Sequence, residues 1–353
     1  MLDWTKTMQQ TFEYFIVDPG TWKDMKRIDK VETSSITRDS STETIMSLNM
    51  KVNEDLGECY VRVYLVTIQN GIKQRHPLGT FLVQTPAISF DGKVKSVTTD
   101  AYSPLLELKE NKPPIGYSLL EGEPIMKRAY QLIRENVRAP ISEIEDSETL
   151  YYDYVANTND TWITFINDLI SNAKYSLDLD DMGRIIFSKI QSIESLQPVW
   201  TYDDSNSSIL YPSLDIKQDL YGIPNAVEVI YSNNRDYFYK KIVNDDPNSP
   251  TSTVRRGREI VYREVNPGGI GNPTEEQLEL YAKQLLKNLS CLQYKITYKH
   301  GYCPVRLGDC VRLNYEKAGL KNIKAKVISQ NIDCIPGCPV TETAVFINRL
   351  WGD

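Results

Sequence analysis

Tyr60-Val61-Arg62-Val63-Tyr64-Leu65-Val66-Thr67-Ile68 runs into Asn70-Gly71, and Gly79-Thr80-Phe81-Leu82-Val83-Gln84 follows. β-branched and aromatic residues fill both apolar runs, which suits a pleated, half-buried surface. Asn-Gly supplies the pair of positive φ angles that a tight hairpin turn requires. A second hairpin is expected at Asp91-Gly92, between Ile88-Ser89-Phe90 and Val94-Lys95-Ser96-Val97, and Pro86 is expected to bend or end a strand. Residues 1–110 therefore read as a small antiparallel barrel or sandwich.

Downstream the texture changes. Lys112-Pro113-Pro114-Ile115-Gly116 punctuates the chain. Pro124 suits a first helical turn, and Ile125, Ala129, Leu132 and Ile133 follow at helical spacing. A second helix is expected from an N-cap at Asp160, with Trp162, Phe165, Ile166, Leu169, Ile170 and Ala173 on one apolar stripe. Two short strands, 175–179 and 184–187, flank a turn at Asp181-Met182-Gly183. Residues 111–200 thus form a compact α+β insert.

Residues 197–224, rich in Pro, Ser, Asp and Asn, read as a connector. Strands resume at 226–231, 236–243 and 258–265, with a loop tip at Asp245-Asp246-Pro247-Asn248-Ser249-Pro250. Asn266-Pro267-Gly268-Gly269-Ile270-Gly271-Asn272-Pro273 is a hard break. A helix follows, with Thr274 and Gln277 matching a capping box. Leu292, Tyr294, Ile296 and Tyr298 alternate at strand period, and strands are expected at 310–315, 323–331 and 341–350. Residues 201–353 are a second β domain with one packed helix, and the whole is α+β, mainly β.

The chain has 353 residues, 41% of them hydrophobic and 25% charged, enough for two or three domains with real cores. Tyr outnumbers Phe by 22 to 8, which suits strands and large protein contacts. A net charge of −7 argues against a chain whose main task is coating nucleic acid. The densest basic run, Val254-Arg255-Arg256-Gly257-Arg258, reads as a solvated loop. Met1-Leu2-Asp3-Trp4-Thr5-Lys6 is polar and lacks the apolar core of a secretory signal, and no stretch has the ~20 apolar residues of a membrane helix. Folding in a cytoplasm without membrane insertion is expected.

Residues suited to chemistry are scarce. The histidines are His76 and His300. A nucleophile needs a base within hydrogen-bond reach, and His300 near Cys291, Cys303 and Cys310 reads instead as a solvent-facing residue at a strand end. Cys303, Cys310, Cys334 and Cys338 have enough sulfur ligands for zinc, but the six-residue gap between the first two is wrong for a knuckle. Free thiols are the default, with a Cys334–Cys338 disulfide the other option and Cys59 unattached to either. Gly268-Gly269-Ile270-Gly271 lies where phosphate loops sit, yet lacks the Lys-Ser/Thr of a P-loop and the GxGxxG spacing. Asp178-Leu179-Asp180-Asp181 reads as a solvated hairpin tip, since the ligand pattern of an EF-hand is missing. Trp162 reads as core. Carboxylate pairs of the glycosidase kind are recognised only by their separation in the fold. No catalytic residue and no cofactor is assigned.

Ile28-Asp29-Lys30-Val31-Glu32, Ser35-Ile36-Thr37-Arg38-Asp39, Val61-Arg62-Val63-Tyr64, Leu78-Gly79-Thr80-Phe81-Leu82-Val83 and Thr99-Asp100-Ala101-Tyr102-Ser103-Pro104-Leu105-Leu106 together resemble the first tube-like domain of phage tail hub proteins, of the type found in prophages and phages of Gram-positive bacteria. Asp160-Thr161-Trp162, residues 166–173 and the run from Leu177 to Ile185 resemble that family's helix and short hairpin. Tyr298 with Leu307-Gly308-Asp309-Cys310-Val311-Arg312-Leu313 resembles its second tube-like domain. The resemblance covers nearly the whole chain, and the order of the motifs carries it.

It implies two tube-like antiparallel β-barrel domains, 1–110 and 201–353, flanking the insert. It also implies a homotrimer whose ring, pseudo-sixfold, joins a hexameric tail tube to a threefold spike or tail tip. Other baseplate proteins and the tape measure would be neighbours, and DNA would be only passing cargo in the lumen. The expected location is the virion tail or baseplate, assembled in the host bacterial cytoplasm. The compact length favours a contractile particle. The cysteine-rich end is a departure from the family. The competing readings are a tail-associated cell-wall hydrolase, usually a longer fusion, and a host-surface binding module.

Overall fold

The computed structural model describes residues 2–90, 92, 95–145, 148–218, 220–232, 237–267 and 273–349. The chain divides into two compact units. The first contains Met1–Leu214 and Tyr298–Thr343; the second contains Asp215–Thr297 and Ala344–Asp353.

The first unit opens with seven strands: β1 (Gln9–Val17), β2 (Asp24–Ile28), β3 (Val31–Asp39), β4 (Met46–Val52), β5 (Tyr60–Gln69), β6 (Ile72–Phe90) and β7 (Lys95–Tyr102). They lie in the order β3-β4-β7-β6-β5-β1-β2, every pair antiparallel. β5 is buried on both faces. Val61, Val63 and Leu65 point into the main core with Ile36, Leu48, Met50 and Phe81. Tyr60, on the opposite face, packs with Val17, Leu82 and Leu106. At the β5–β6 turn Asn70 and Gly71 have φ of 50° and 77°, as the Asn-Gly reading requires. Pro86 does not end its strand: β6 continues to Phe90, and the ladder absorbs the disturbance as a register shift between Val83 and Thr85. Asp91 and Val94 of the second expected hairpin lie outside the described residues.

After β7 comes α1 (Leu106–Glu110), and the expected insert, residues 111–200, contains β8 (Ser118–Leu119), α2 (Ile125–Asn136), β9 (Tyr154–Val155), α3 (Trp162–Asn172), β10 (Tyr175–Leu179) and β11 (Ile185–Lys189). The apolar stripes of α2 and α3 are buried in the same cluster as the β5 side chains, so the insert shares the main core. Each large apolar side chain buried there contributes roughly 1.5–3 kcal/mol. Trp162 is core, set edge-on against Tyr117 and Phe165. The N-cap of α3 is Thr161, in a reciprocal box with Thr164, rather than Asp160. Asp160 instead accepts the N–H of Asn157 and closes the preceding turn. Pro124 is the N-cap of α2, one position earlier than a first-turn residue.

The expected connector contains β12 (Pro198–Asp203) and β13 (Leu210–Gln218). β13 is an end strand with an almost wholly exposed face, where Pro and polar residues cost little. That composition hid the strands.

The second unit is built on β14 (Ala226–Ser232), β15 (Tyr237–Val243) and β16 (Val261–Val265), with the short α4 (Thr253–Arg256) and α5 (Glu275–Leu289). The sheet order is β15-β14-β16, antiparallel then parallel. Leu278, Ala282 and Leu286 of α5 pack on Val227 and Val229 in a separate apolar core. Thr274 and Gln277 form the expected capping box. The run Val254–Arg258 is no loose loop. Arg255 donates to the Pro247 carbonyl, and Arg256 to those of Ile223 and Leu220, because a helical turn capped by Ser252 presents them. Gly268, Gly269, Ile270 and Gly271 lie outside the described residues.

Four further strands complete the chain: β17 (Cys291–Gly301), β18 (Cys310–Tyr315), β19 (Leu320–Asp333) and β20 (Pro339–Arg349). In the first unit β19 pairs antiparallel with β3 through Ser35–Asp333 and Asp39–Ser329, and β18 joins β19 on one side and parallel β12 on the other.

Candidate functional site

The turn between β10 and β11 is held by side chains from distant parts of the first unit. Gly183 has φ 76°, and Asp180 accepts the N–H groups of Met182 and Arg184, so the turn is closed by its own carboxylate. The Met182 carbonyl then accepts from Trp22 Nε1 at 2.9 Å, Thr80 Oγ1 at 2.9 Å and Arg62 Nη2 at 3.3 Å. Arg62, 1% exposed, also donates to Thr80 Oγ1 and pairs with Asp24 at 2.8 Å. Asp181 lies between Arg38 Nη2 at 3.5 Å and Arg306 Nε at 3.4 Å. Arg306 further donates to the Leu179 carbonyl. The acidic run expected at a solvated tip is therefore an anchored one. Three arginines from β3, β5 and the 302–309 loop hold it, through the Met182 and Leu179 carbonyls and the Asp181 carboxylate.

From Arg38 the polar contacts continue inward. Its Nη1 donates to Gln330 Oε1 at 3.1 Å and its Nη2 to the Leu78 carbonyl at 2.8 Å. Gln330 Nε2 donates to Glu342 Oε2 at 2.6 Å, and Tyr298 donates to Glu342 Oε1. Glu342 is wholly buried and lies 3.6 Å from His300 Nε2, itself 1% exposed. His300 also contacts Tyr202 OH at 3.2 Å and the Gly301 carbonyl at 2.7 Å. Its expected exposure at the strand end is thus overturned: β12 covers it with Tyr202. Burial opposes a charge on this ring, yet the Cys303 and Glu342 side chains outweigh that cost and hold its pKa up at about 10. Burial first, then Glu342, pushes Tyr298 and Tyr202 upward, so both remain protonated. The result is a buried cation–carboxylate pair with its remaining lone pairs satisfied.

The four candidate metal ligands separate into different surroundings. Cys303 lies against Tyr202 OH at 3.2 Å and His300 Nδ1 at 4.0 Å, and Cys310 faces the Val311 carbonyl. Cys334 and Cys338 are buried in the main core. Among the described residues no three His, Cys, Asp or Glu side chains come together as a metal centre. Cys59 is half-buried, and burial pushes its thiol up to about 11.

Beside the anchored turn lies a cleft of about 660 Å³, lined by Tyr175, Asp178, Phe187, Asp309, Lys326 and Ile328 among others. Burial raises the pKa of both Asp178 and Asp309. Their hydrogen bonds are internal: Asp178 accepts from Leu179 N and Ser188 Oγ, and Asp309 from Arg306 N.

No protein-family model matches the sequence, and no curated protein matches it. The fold does have known counterparts. A tail protein of Neisseria meningitidis MC58 superposes with a TM-score of 0.62 at 11% identity, covering 95% of this chain and 97% of its own. The chain has the fold of a phage tail protein. The 43 kDa tail protein of prophage MuSo2 from Shewanella oneidensis matches this tail-protein fold with a TM-score of 0.63 at 10% identity, covering 95% and 98%. The prophage tail protein gp18 of Listeria monocytogenes EGD-e matches it with 0.51 at 12%, covering 96% and 95%. At these identities the sequences share little, while the fold matches over nearly the whole of each chain. No helix among the described residues is long and apolar enough to cross a membrane.

Proposed function

We propose that the chain is a structural, non-enzymatic hub of a phage tail or phage-tail-like particle. It forms a homotrimer in which residues 1–110 and 201–353 act as tube-like domains and 111–200 as the insert. The ring joins the tail tube above to a spike or tail tip below, contacts other baseplate proteins and the tape measure, and passes DNA through its lumen. It is built in the host bacterial cytoplasm and resides in the tail or baseplate.

The observation that carries this reading is the end-to-end match of the fold to two tail proteins at TM-scores above 0.6. The anchored turn supports it, since a part that transmits load between neighbours benefits from elements locked by hydrogen bonds and ion pairs reaching in from distant strands. The test is the solution mass of the purified chain alone and after mixing with the tube and spike proteins of its particle. A mass three times that of the chain, or a ring that closes when those partners are added, supports the hub. A chain that stays monomeric and binds neither partner overturns it. Lysis of cell walls by the purified chain would overturn the non-enzymatic part, and the cleft with Asp178 and Asp309 is where that activity would be sought.

A further inference from the structure

Cys334 and Cys338 bracket the turn that joins β19 to β20, with Ile335, Pro336 and Gly337 between them. The turn is closed by the Cys338 N–H on the Ile335 carbonyl at 2.9 Å and by the Ile335 N–H on the Asp333 carbonyl at 2.9 Å. Cys334 is fixed from outside the turn, its N–H donating to the Ser34 carbonyl of β3 at 3.1 Å. Cys338 holds φ at 38° and Gly337 at 91°, so the chain doubles back sharply and returns Cys338 to the side from which Cys334 left. Both side chains are buried in the main core while the three residues between them are exposed. Two sulfurs therefore share one interior pocket at the foot of a solvent-facing turn. The intervening turn is closed by its own hydrogen bonds and the Cys334 sulfur is near enough to Cys338 to disfavour its thiolate, so the two sulfurs are neighbours; a disulfide between them requires Cα atoms no more than about 7 Å apart.

We propose that Cys334 and Cys338 form an intrachain disulfide that staples the β19–β20 turn when the folded protein meets a disulfide oxidant. The Cys334 thiolate attacks one sulfur of the oxidant, forming a mixed disulfide and releasing one small thiol. The Cys338 thiolate then attacks the Cys334 sulfur, closing the protein disulfide and releasing the second small thiol. Two S–H bonds of the protein are lost, its sulfurs are oxidised by two electrons, and the oxidant is reduced to two thiols.

The order follows from the surroundings. Burial pushes Cys334 up to about 11, with the Ser34 and Tyr14 hydroxyls holding it back. Burial and the neighbouring Cys334 sulfur push Cys338 higher. The charged or titratable groups facing the pair are Tyr14 from β1, Arg38 from β3, Asp333 from β19 and Tyr302 from the loop after β17. Only the thiolate attacks, so closure is slow at neutral pH and quickens as pH rises. On the hub reading, the bond closes after the particle leaves a reducing cytoplasm. That timing rests on the reading above, whereas the pairing itself does not.

The test exposes the whole folded chain to glutathione disulfide over a series of rising pH, blocks remaining thiols and digests with trypsin without reductant. Residues 327–349 form one tryptic peptide containing both cysteines, so closure appears as loss of two hydrogens from that peptide. The expected result is that loss, faster at higher pH, with the thiols of Cys303 and Cys310 recovered only after unfolding. In Cys338→Ser the same peptide should stop as a glutathione adduct on Cys334. A stable adduct in the unmutated chain, pairing of Cys334 with any other cysteine, or both thiols surviving while Cys59 reacts would each overturn the proposal. The unmutated chain decides the matter even if the variant fails to fold. A monomeric, partner-free chain that still closes this bond would separate failure of the hub reading from failure of the pairing.

Discussion

The β5–β6 turn at Asn70-Gly71 and the β10–β11 turn at Asp181-Met182-Gly183 look alike in sequence: each is a short break that ends in glycine between two apolar runs. Both glycines hold positive φ, 77° and 76°. Their surroundings could hardly differ more. A Cβ on Gly71 would meet nothing within 4 Å, whereas one on Gly183 would lie 2.6 Å from the Cβ of Thr80. The first turn is a hinge of convenience at the surface, specified locally by its own two residues. The second is specified by Trp22, Arg38, Arg62, Thr80 and Arg306, none of them near it in sequence. Turn chemistry decides where a chain reverses; distant side chains decide whether the reversal is a rim or a rivet.

Substitutions can break this contrast in a graded way. Arg38→Met should have the largest effect, about 3–5 kcal/mol, because it strips a buried partner from Gln330, Asp181 and the Leu78 carbonyl. Urea denaturation of the purified variant checks it. Gly183→Ala should cost about 2–4 kcal/mol, summing left-handed strain and overpacking against Thr80. A lowered thermal midpoint with unchanged far-ultraviolet dichroism would be its signature. Gly71→Ala, with open space around it, should cost only about 1 kcal/mol of backbone strain, so a midpoint shift as large as that of Gly183→Ala would erase the comparison.

The polar chain behind the rivet also predicts a pH response. His300 has its pKa raised from 6.5 to about 10, so the folded state binds the proton more tightly than the unfolded chain does. Its contribution to stability is fully present below pH 6.5 and is lost as pH rises through about 10. His300→Asn should flatten the fall in urea midpoint across that window, and an unchanged slope would remove His300 from the account.

Much of the fold was legible. Strand period, the Asn-Gly turn, the α3 stripe and the Thr274–Gln277 box each depend on neighbours within a few residues. The rivet was not, for a definable reason. Ile296, Tyr298 and His300 occupy successive inward positions of β17, as do Ser34, Ile36 and Arg38 of β3, and Val340 and Glu342 of β20. Alternation alone points all of them inside. A polar residue in an inward position usually marks a strand end, and only a partner brought from far along the chain reverses that inference. Tyr202, which seals His300, lay in a stretch whose edge-strand composition resembles a linker. The divided environments of Cys303, Cys310, Cys334 and Cys338 were likewise invisible to spacing.

The pairing of β3 with β19 has a consequence for how the protein is made. Ser35–Asp39 must find Ser329–Asp333, so the outer edge of β3 stays open while nearly the whole remaining chain is synthesised. At ribosomal speeds of roughly 5–20 residues per second, that delay is on the order of 15–60 s. During it the nascent first sheet presents unpaired amides and carbonyls to every other growing copy on the same message, an arrangement that invites edge-to-edge association. The charged Glu32 and Arg38 on that strand are the means at hand to keep the edge vacant until its own partner emerges.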